Sequence, residues 1–414
     1  MSGSSESAET GSESVAGTLT TRMSRRQVLQ SSAAATVAGL AGCLGEDDDD
    51  TVRIGAAIPL TGALAFGEEI ENGLEMAVDE YDGDADVELL VRDTETDPGV
   101  ATPVTNELIQ EENADFIIGG VSSASALAMQ EVIDREEVPF IGLSSSNALT
   151  GESCSPYGFT HHASSTQFSG APVEAYEQGL YESMFFLPAD FEGGLTAMDA
   201  VSERIVDRGA ENAGESSFPL GNDDYSAQVS SARASDADMC YFISSDQDAI
   251  RFLSQARSAG LHEDMDIMFS FIDIEIAASV GEDIEGVYGG TSFYWNMDEG
   301  EEFTESYRDR FDEVPPWWAA TGYDAGKEFL WALEAEGSTN ADGIVDRLRG
   351  NEFNWSRPCQ WRECDHRSIK NMYLVEGKPA DERENEDDYY DVLGSTGDEE
   401  IMRTCAETGC EMGE

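Results

Sequence analysis

Lysine is nearly missing from this chain of 414 residues: it occurs only at Lys327, Lys370 and Lys378, and Lys and Arg together number 23 against 85 Asp and Glu. A formal net charge of −62 leaves no basic face for a phosphate backbone, so nucleic acid is not an expected partner. Histidine is scarce too, with four in all. The sequence has no G-x-S-x-G elbow, no G-K-S/T phosphate loop and no H-E-x-x-H pair, the usual marks of hydrolases, nucleotide-binding loops and zinc proteases. Neither an enzyme nor a cofactor is expected.

What is present is a real core. Hydrophobic residues make up 40% of the chain, with 18 Phe, 13 Tyr and 6 Trp, whereas a disordered acidic segment is poor in aromatics. The acid is spread over almost every segment, which places it on solvated faces. At low salt such a surface repels itself, and near 1 M salt the Debye length falls to roughly 3 Å, where it is tolerated. The composition therefore reads as halophilic.

The two adjacent arginines stand in SRRQVLQSSAAATVAGLAGCLGEDDDD. The apolar run at 28–40 has the length of a signal h-region and is too short and too rich in Ser, Ala and Gly for a membrane span. Ser24, Arg25, Arg26, Val28 and Leu29 resemble the twin-arginine export signal, and Leu40, Ala41, Gly42 and Cys43 resemble a lipobox whose cysteine becomes the lipidated terminus. Residues 1–42 are thus expected to be a signal peptide, Cys43 the lipid anchor, and 43–50 an acidic tether. The working protein is expected outside the cell, held to the outer face of the membrane.

Beyond the tether, strand-like and helix-like segments alternate. Residues 52–59, 87–91, 116–119 and 139–143 read as strands, and 67–81, 102–110 and 126–135 as helices. The order then repeats, with strands at 183–187, 239–243 and 266–270 and helices at 194–208 and 247–259. This predicts an α/β fold with parallel sheets, divided into two domains because the length exceeds what one core usually holds. HHASSTQFSGAP, polar and small, marks the break near 165–175.

Several stretches carry a family resemblance: TVRIGAAIPLTGALAFGEEIENGLEMAVDEY, VELLVRDTETDPGVATPVTNELI, ADFIIGGVSSASALAMQEVIDREEVPFIGLSSSNALTG and DADMCYFISSDQDAIRFLSQARSAGL. Together with EGVYGGTSF, GYDAGKEFLWALE and WRECDHRSIKNMYLVEGK they resemble, over about 51–376, the periplasmic binding proteins of the branched-chain amino acid and amide type. The resemblance implies two Rossmann-like lobes joined by three crossovers that close on a small-molecule ligand and present it to the permease and ATPase of an ABC importer. The lobes are expected at 51–168 plus 293–350 and at 169–292 plus 351–414, with crossings near 165–175, 288–295 and 345–355, and the protein as a monomer. A ligand-sensing receptor of the same fold, coupled to a membrane signalling partner, is the alternative.

Ligands of open α/β sheets bind beyond the carboxyl ends of strands, and GGVSSAS and GLSSSN both follow strands. Hydroxyls and helix N-terminal amides there can hold a carboxylate or carbonyl without a cation. By resemblance, Ser123, Ser144 and Ser145 hold that group, Phe66 and Phe191 supply aromatic contacts, and Ser245, Asp246, Phe271 and Asp273 face the ligand from the second lobe. Branched-chain amino acid binders pair the ammonium with a second-lobe acid, and Asp246 and Asp273 lie off that register. An amide, urea or an organic acid therefore stands beside an amino acid as ligand. Trp317 and Trp318 would suit a planar ligand, or else pack between lobes.

Apart from Cys43 there are six cysteines, an even number in an oxidising location. Cys359 with Cys364 and Cys405 with Cys410 are expected as local loops, with Cys154 and Cys240 unassigned. CQWRECDH, with Cys359, Cys364, Asp365 and His366, lacks zinc-knuckle spacing, so no metal is expected. His161 and His162 read as loop residues, and Asn354, Trp355 and Ser356 form a sequon that matters only if exposed.

Overall fold

The computed structural model describes residues 51–244, 246–397 and 401–412. The expected signal peptide, Cys43, the tether and Ser245 lie outside these residues, as does the side chain of Asp246. No helix among the described residues is long and apolar enough to cross a membrane.

Lobe 1 starts with β1 (Thr51–Ile58), α1 (Gly67–Asp79), β2 (Asp86–Asp93), α2 (Pro98–Gln110), β3 (Phe116–Gly119), α3 (Ser123–Glu136), β4 (Phe140–Gly142) and β5 (Gly158–Thr160). Its sheet has the order β2-β1-β3-β4-β5 and is parallel throughout. Strands covered on both faces must be apolar along their whole length, and FIIG of β3 is buried at every residue. Lobe 2 continues with α4 (Gly170–Glu177), β6 (Ser183–Pro188), α5 (Glu192–Arg208), β7 (Glu211–Glu215), α6 (Ser226–Ser235), β8 (Met239–Ile243), α7 (Asp246–Ser258), β9 (Asp266–Phe269), α8 (Ile274–Val280) and β10 (Val287–Thr291). The chain then crosses to α9 (Glu301–Phe311), α10 (Trp317–Glu336) and α11 (Ala341–Leu348). An antiparallel sheet of β11 (Glu352–Asn354), β12 (Pro358–Trp361) and β13 (Ser368–Ile369) follows. Finally β14 (Met372–Gly377) and β15 (Tyr390–Thr396) add antiparallel strands to the second sheet, whose order is β15-β14-β10-β9-β8-β6-β7.

Helix α10 belongs to lobe 1 because it packs on α1 through a glycine notch. A Cβ on Gly73 would stand 2.0 Å from the Ala319 carbonyl oxygen, and one on Gly322 2.4 Å from that of Ile70. Ile70, Leu74 and Ala77, spaced along one face of α1, are fully buried there. Gly73→Ala is expected to lower stability by about 1–3 kcal/mol through overpacking, seen as a fall in thermal midpoint. Gly397→Ala, where a Cβ meets nothing within 4 Å, should leave the midpoint unchanged.

Three expectations are corrected. The third crossing falls between β13 and β14 rather than at 345–355, because β11–β13 stays with lobe 1. There Thr160 N–H donates to the His366 carbonyl at 3.0 Å, Thr160 bridges Arg367, and the Phe159 ring meets Trp361 edge-on at 5.1 Å. Residues 352–369 are therefore part of lobe 1, not of lobe 2. The disulfides are also not local: Cys154 pairs with Cys410 and Cys364 with Cys405, while Cys240 and Cys359 are buried and free. Short spacing makes a loop only when both thiols face the same way. Cys359, on β12, turns into the lobe 1 interior toward Glu328, whereas Cys364 lies in the turn that meets the C-terminal segment.

Candidate ligand-binding site

Between the lobes lies a cavity of about 360 Å³ at the carboxyl ends of the strands. Lobe 1 supplies its hydroxyl wall. Ser122 caps α3, its Oγ accepting from Ser125 N–H at 3.2 Å, so Ser123 in the first turn is left with hydroxyl and amide at the cavity. Ser145, in the loop after β4, lines the same wall, and its carbonyl is fixed by Ser165 N–H at 2.9 Å. The loop after β1 carries Leu64 and Phe66 to the rim. Asp93 holds that loop by accepting from Leu60 and Thr61 N–H at 3.0 and 3.2 Å, and these bonds keep its carboxyl below the usual range although partial burial pushes it up.

Aromatic rings build the rest. Trp317 and Trp318 open α10, with Pro316 at its N-cap. The His162 ring is sandwiched against them, 5.1 Å from Trp317 and 4.7 Å from Trp318, and Phe66 stacks on Trp318 at 4.9 Å. From lobe 2, Phe271 meets Trp317 edge-on at 5.7 Å and Phe191 covers the rim, 40% exposed, while Phe168 of the first crossing stacks on Phe271 at 6.4 Å. Ser244 and Ser270 supply hydroxyls at the ends of β8 and β9. Burial pushes the His162 pKa down to about 3, so the ring is neutral. Nδ1–H then donates to the Ala163 carbonyl at 2.9 Å, leaving Nε2 as an acceptor. Among the described lining residues there is no Asp, Glu, Lys or Arg.

Of the residues singled out in the sequence, Phe66, Ser123, Ser145, Phe191 and Phe271 meet at this cavity. Ser144 and Asp273 do not. Ser144 is buried, with its Oγ accepting from Ser146 N–H at 3.2 Å, and Asp273 is turned to the N-terminus of α10, where its Oδ2 accepts from Trp317 N–H at 3.0 Å. His162, read as a loop residue, is a wall of the cavity, and so are Trp317 and Trp318. The double proline before the tryptophans was the available signal, since it sets a helix start whose first side chains project past its end.

The side chains of CQWRECDH disperse rather than converge. Cys364 is in a disulfide, Asp365 takes Arg362, and His366 stacks on Phe159 at 4.2 Å. Cys359 joins a different buried cluster, in which ligand-type atoms of His161, Glu328 and Cys359 lie within 4.8 Å of one another. That interior also holds Arg357, whose Nε is 3.3 Å from Asp324 Oδ2, and Lys370, whose Nζ is 3.0 Å from His161 Nδ1, while Glu328 Oε1 is 3.5 Å from His161 Nε2. Burial, reinforced by Asp324, pushes the Glu328 carboxyl well up, and burial with Arg357 brings the Lys370 ammonium down to about 8. The cluster joins the end of β5, α10 and the strands before the third crossing.

A family model described as periplasmic binding protein matches residues 51–383. The chain is 26% identical over 323 residues to Leu/Ile/Val-binding protein homolog 8 of Brucella abortus (strain 2308), covering 72% of this chain and 80% of that one. Its fold is similar to that of a periplasmic binding protein from Burkholderia mallei, with a TM-score of 0.81 at 24% identity over 88% of this chain and all of the other. It is also similar to an ABC-transporter solute-binding protein from R. palustris solved with benzoate, with a TM-score of 0.76 at 21% identity over 87% and 100% of the two chains.

Proposed function

The chain belongs to the periplasmic binding proteins, and from that premise we propose that it captures a small planar or apolar carboxylate outside the cytoplasm and delivers it to an ABC importer. Cys43 tethers it to the membrane, and the permease and ATPase of the importer are its partners. The two lobes close about their crossings and trap the ligand, and no bond is made or broken in it.

The observation that carries the reading is the lining: rings and hydroxyls, with no ionised side chain among the described residues. Among the described residues a free ammonium enclosed there would have no carboxylate beside it, at a cost of several kcal/mol. A carboxylate has partners, namely the first-turn amides of α3 and the hydroxyls of Ser123 and Ser145, placed where the helix dipole favours negative charge. The flat faces of Trp318, His162 and Trp317 then take an apolar or aromatic body. The relative solved with benzoate agrees with such a ligand, and the weight rests on the lining.

A thermal-shift panel run in molar KCl tests this, with benzoate, 4-hydroxybenzoate, short branched carboxylates, leucine, valine, short amides and urea. Benzoate or another carboxylate without an ammonium group is expected to raise the midpoint by several degrees at concentrations well above its Kd. A shift with leucine or valine alone would sink the carboxylate reading in favour of an amino acid. A shift with amides alone would move the assignment to uncharged ligands.

A further inference from the structure

We propose that the C-terminal segment is a fourth crossing between the lobes, stapled to lobe 1 by both disulfides, which stiffens the hinge and limits how far the cleft opens. The inference rests on hinge closure and is independent of the ligand's identity.

The path of the chain carries it. β15 is an edge strand of the lobe 2 sheet, with Thr396 Oγ1 donating to the Gly170 carbonyl at 2.9 Å. Ile401 is fully buried in the lobe 2 cluster of Ala171, Ala175 and Leu374, and its carbonyl accepts from Arg204 Nε of α5 at 3.1 Å. Two residues later the chain is on lobe 1. Arg403 Nη2 donates to the Asn147 carbonyl at 2.7 Å, and the Arg403 carbonyl accepts from Arg362 Nη1 at 2.7 Å. Cys405 is then bonded to Cys364 in the β12–β13 turn, and Cys410 to Cys154 before β5. Ile401 and Cys405 are four positions apart, a span of at most about 14 Å when extended. The segment passes directly beside the first crossing, where Met402 and Arg403 share a small cavity with Ser164 and Thr166.

A connection this short, buried at one end and covalently fixed at the other, cannot follow a wide rotation of lobe 2 without stretching or pulling Ile401 from its core. The three other crossings bend through a few backbone dihedrals each, whereas this one is also pinned at its far end by disulfides. The ligand-free protein is accordingly held in a narrower range of openings than its three crossings alone would allow, and closure starts from fewer states.

The test uses the folded, oxidised, ligand-free protein in molar KCl, reading the radius of gyration by small-angle X-ray scattering and amide hydrogen exchange at the crossings. Three forms are compared with the parent. In Cys364→Ser with Cys405→Ser one staple is absent, and in a second form Cys154→Ser and Cys410→Ser are added. In the third, a short glycine–serine insert between Met402 and Arg403 lengthens the strap while keeping both disulfides. Treatment of the parent with a dithiol provides a fourth comparison that needs no refolding: each disulfide takes up two electrons and two protons to give two thiols, and the dithiol leaves as its cyclic disulfide. The expected result is a larger radius of gyration and roughly tenfold faster exchange at crossing amides such as Ser165 and Phe168, in the insert form as well as in the fully unstapled one. Unchanged scattering and exchange in all forms would overturn the proposal. So would a lower melting temperature in the unstapled forms with unchanged scattering and exchange, because that is the behaviour of staples serving stability alone.

Discussion

Arg367→Ala is expected to lower the stability of the folded chain by about 3–5 kcal/mol and to weaken ligand binding at least about tenfold. Arg367 lies in the β12–β13 hairpin and is 1% exposed, and it serves no charged partner in the cleft. Its guanidinium donates instead to the carbonyls of Ser144, Ser146 and His162 and to the Thr150 hydroxyl, the last at 3.2 Å from Nε and the His162 carbonyl at 3.1 Å from Nη1. One planar group thus holds the loop after β4 and the first crossing in a single geometry, and these segments carry Ser145 and His162 to the cavity. Burial, reinforced by the neighbouring Arg403 and Arg362 and opposed by Asp365, brings its pKa down to about 9, a measure of how unfavourable this position is for a cation without its acceptors. Removing it leaves three buried carbonyls unpaired, each worth roughly 1–3 kcal/mol, offset in part by the cation no longer desolvated. Lysine recovers little, because one ammonium cannot reproduce a fork reaching four acceptors in one plane. Chemical denaturation in molar KCl checks the first half of the expectation. Titration with whichever panel compound shifts the parent checks the second. A variant with parental stability would show the acceptors to be rehydrated at no cost, and unchanged affinity would show that the loops need no latch.

The sequence made some of this legible for identifiable reasons. Strands β3 and β8 read to the residue because a parallel strand buried on both faces is an unbroken apolar run. α2 starts at Pro98 rather than 102, since Asp97 caps Gly99 N–H at 2.7 Å with proline in the first turn, a start signal masked by Gly99 and Pro103. The place of Ser123 and Ser145 at the cavity is legible because loops after parallel strands face the crevice wherever such sheets occur. His162 is not, because it reaches the cavity from a crossing, and for Trp317 and Trp318 the sequence leaves a planar ligand and packing between lobes side by side, because they sit on a helix whose place depends on the Gly73–Gly322 notch. The same limit misled the cysteines. Local spacing favoured Cys405 with Cys410, yet each is turned to a different part of lobe 1, with partners 41 and 256 residues away. Closing a long loop costs little more than closing a short one once the fold has brought its ends together.

Asp273, expected from the sequence to face the ligand, carries the second large effect. Asp273→Asn is expected to stabilise the protein at pH 7.5 by about 2–3 kcal/mol. The carboxyl is buried before α8 in lobe 2, and it reaches the first amide of α10 in lobe 1. Burial, reinforced by the Glu275 carboxylate, pushes its pKa up to about 6, although the amides of Trp317, Ile274 and Glu275 pull in the other direction. Tyr390 packs over the same point and donates to the Asp273 carbonyl at 2.8 Å. In the unfolded chain the group titrates near the ordinary 3.8. Between about pH 4 and 6 the folded state therefore keeps a proton that the unfolded state has lost, so stability conferred below that window declines as pH rises through it and stays lost above. Asparagine retains an acceptor for the Trp317 amide and carries no charge to desolvate. With so many other carboxylates titrating, the decisive quantity is the difference between variant and parent, measured by denaturation at fixed KCl from pH 4 to 8. That difference should grow through the window and reach a plateau near neutrality. A flat difference would mean that water reaches the carboxylate and keeps it ionised at its ordinary pKa. The contact between the lobes would then be an open one, with Asp273 near enough to the cleft to meet a ligand after all.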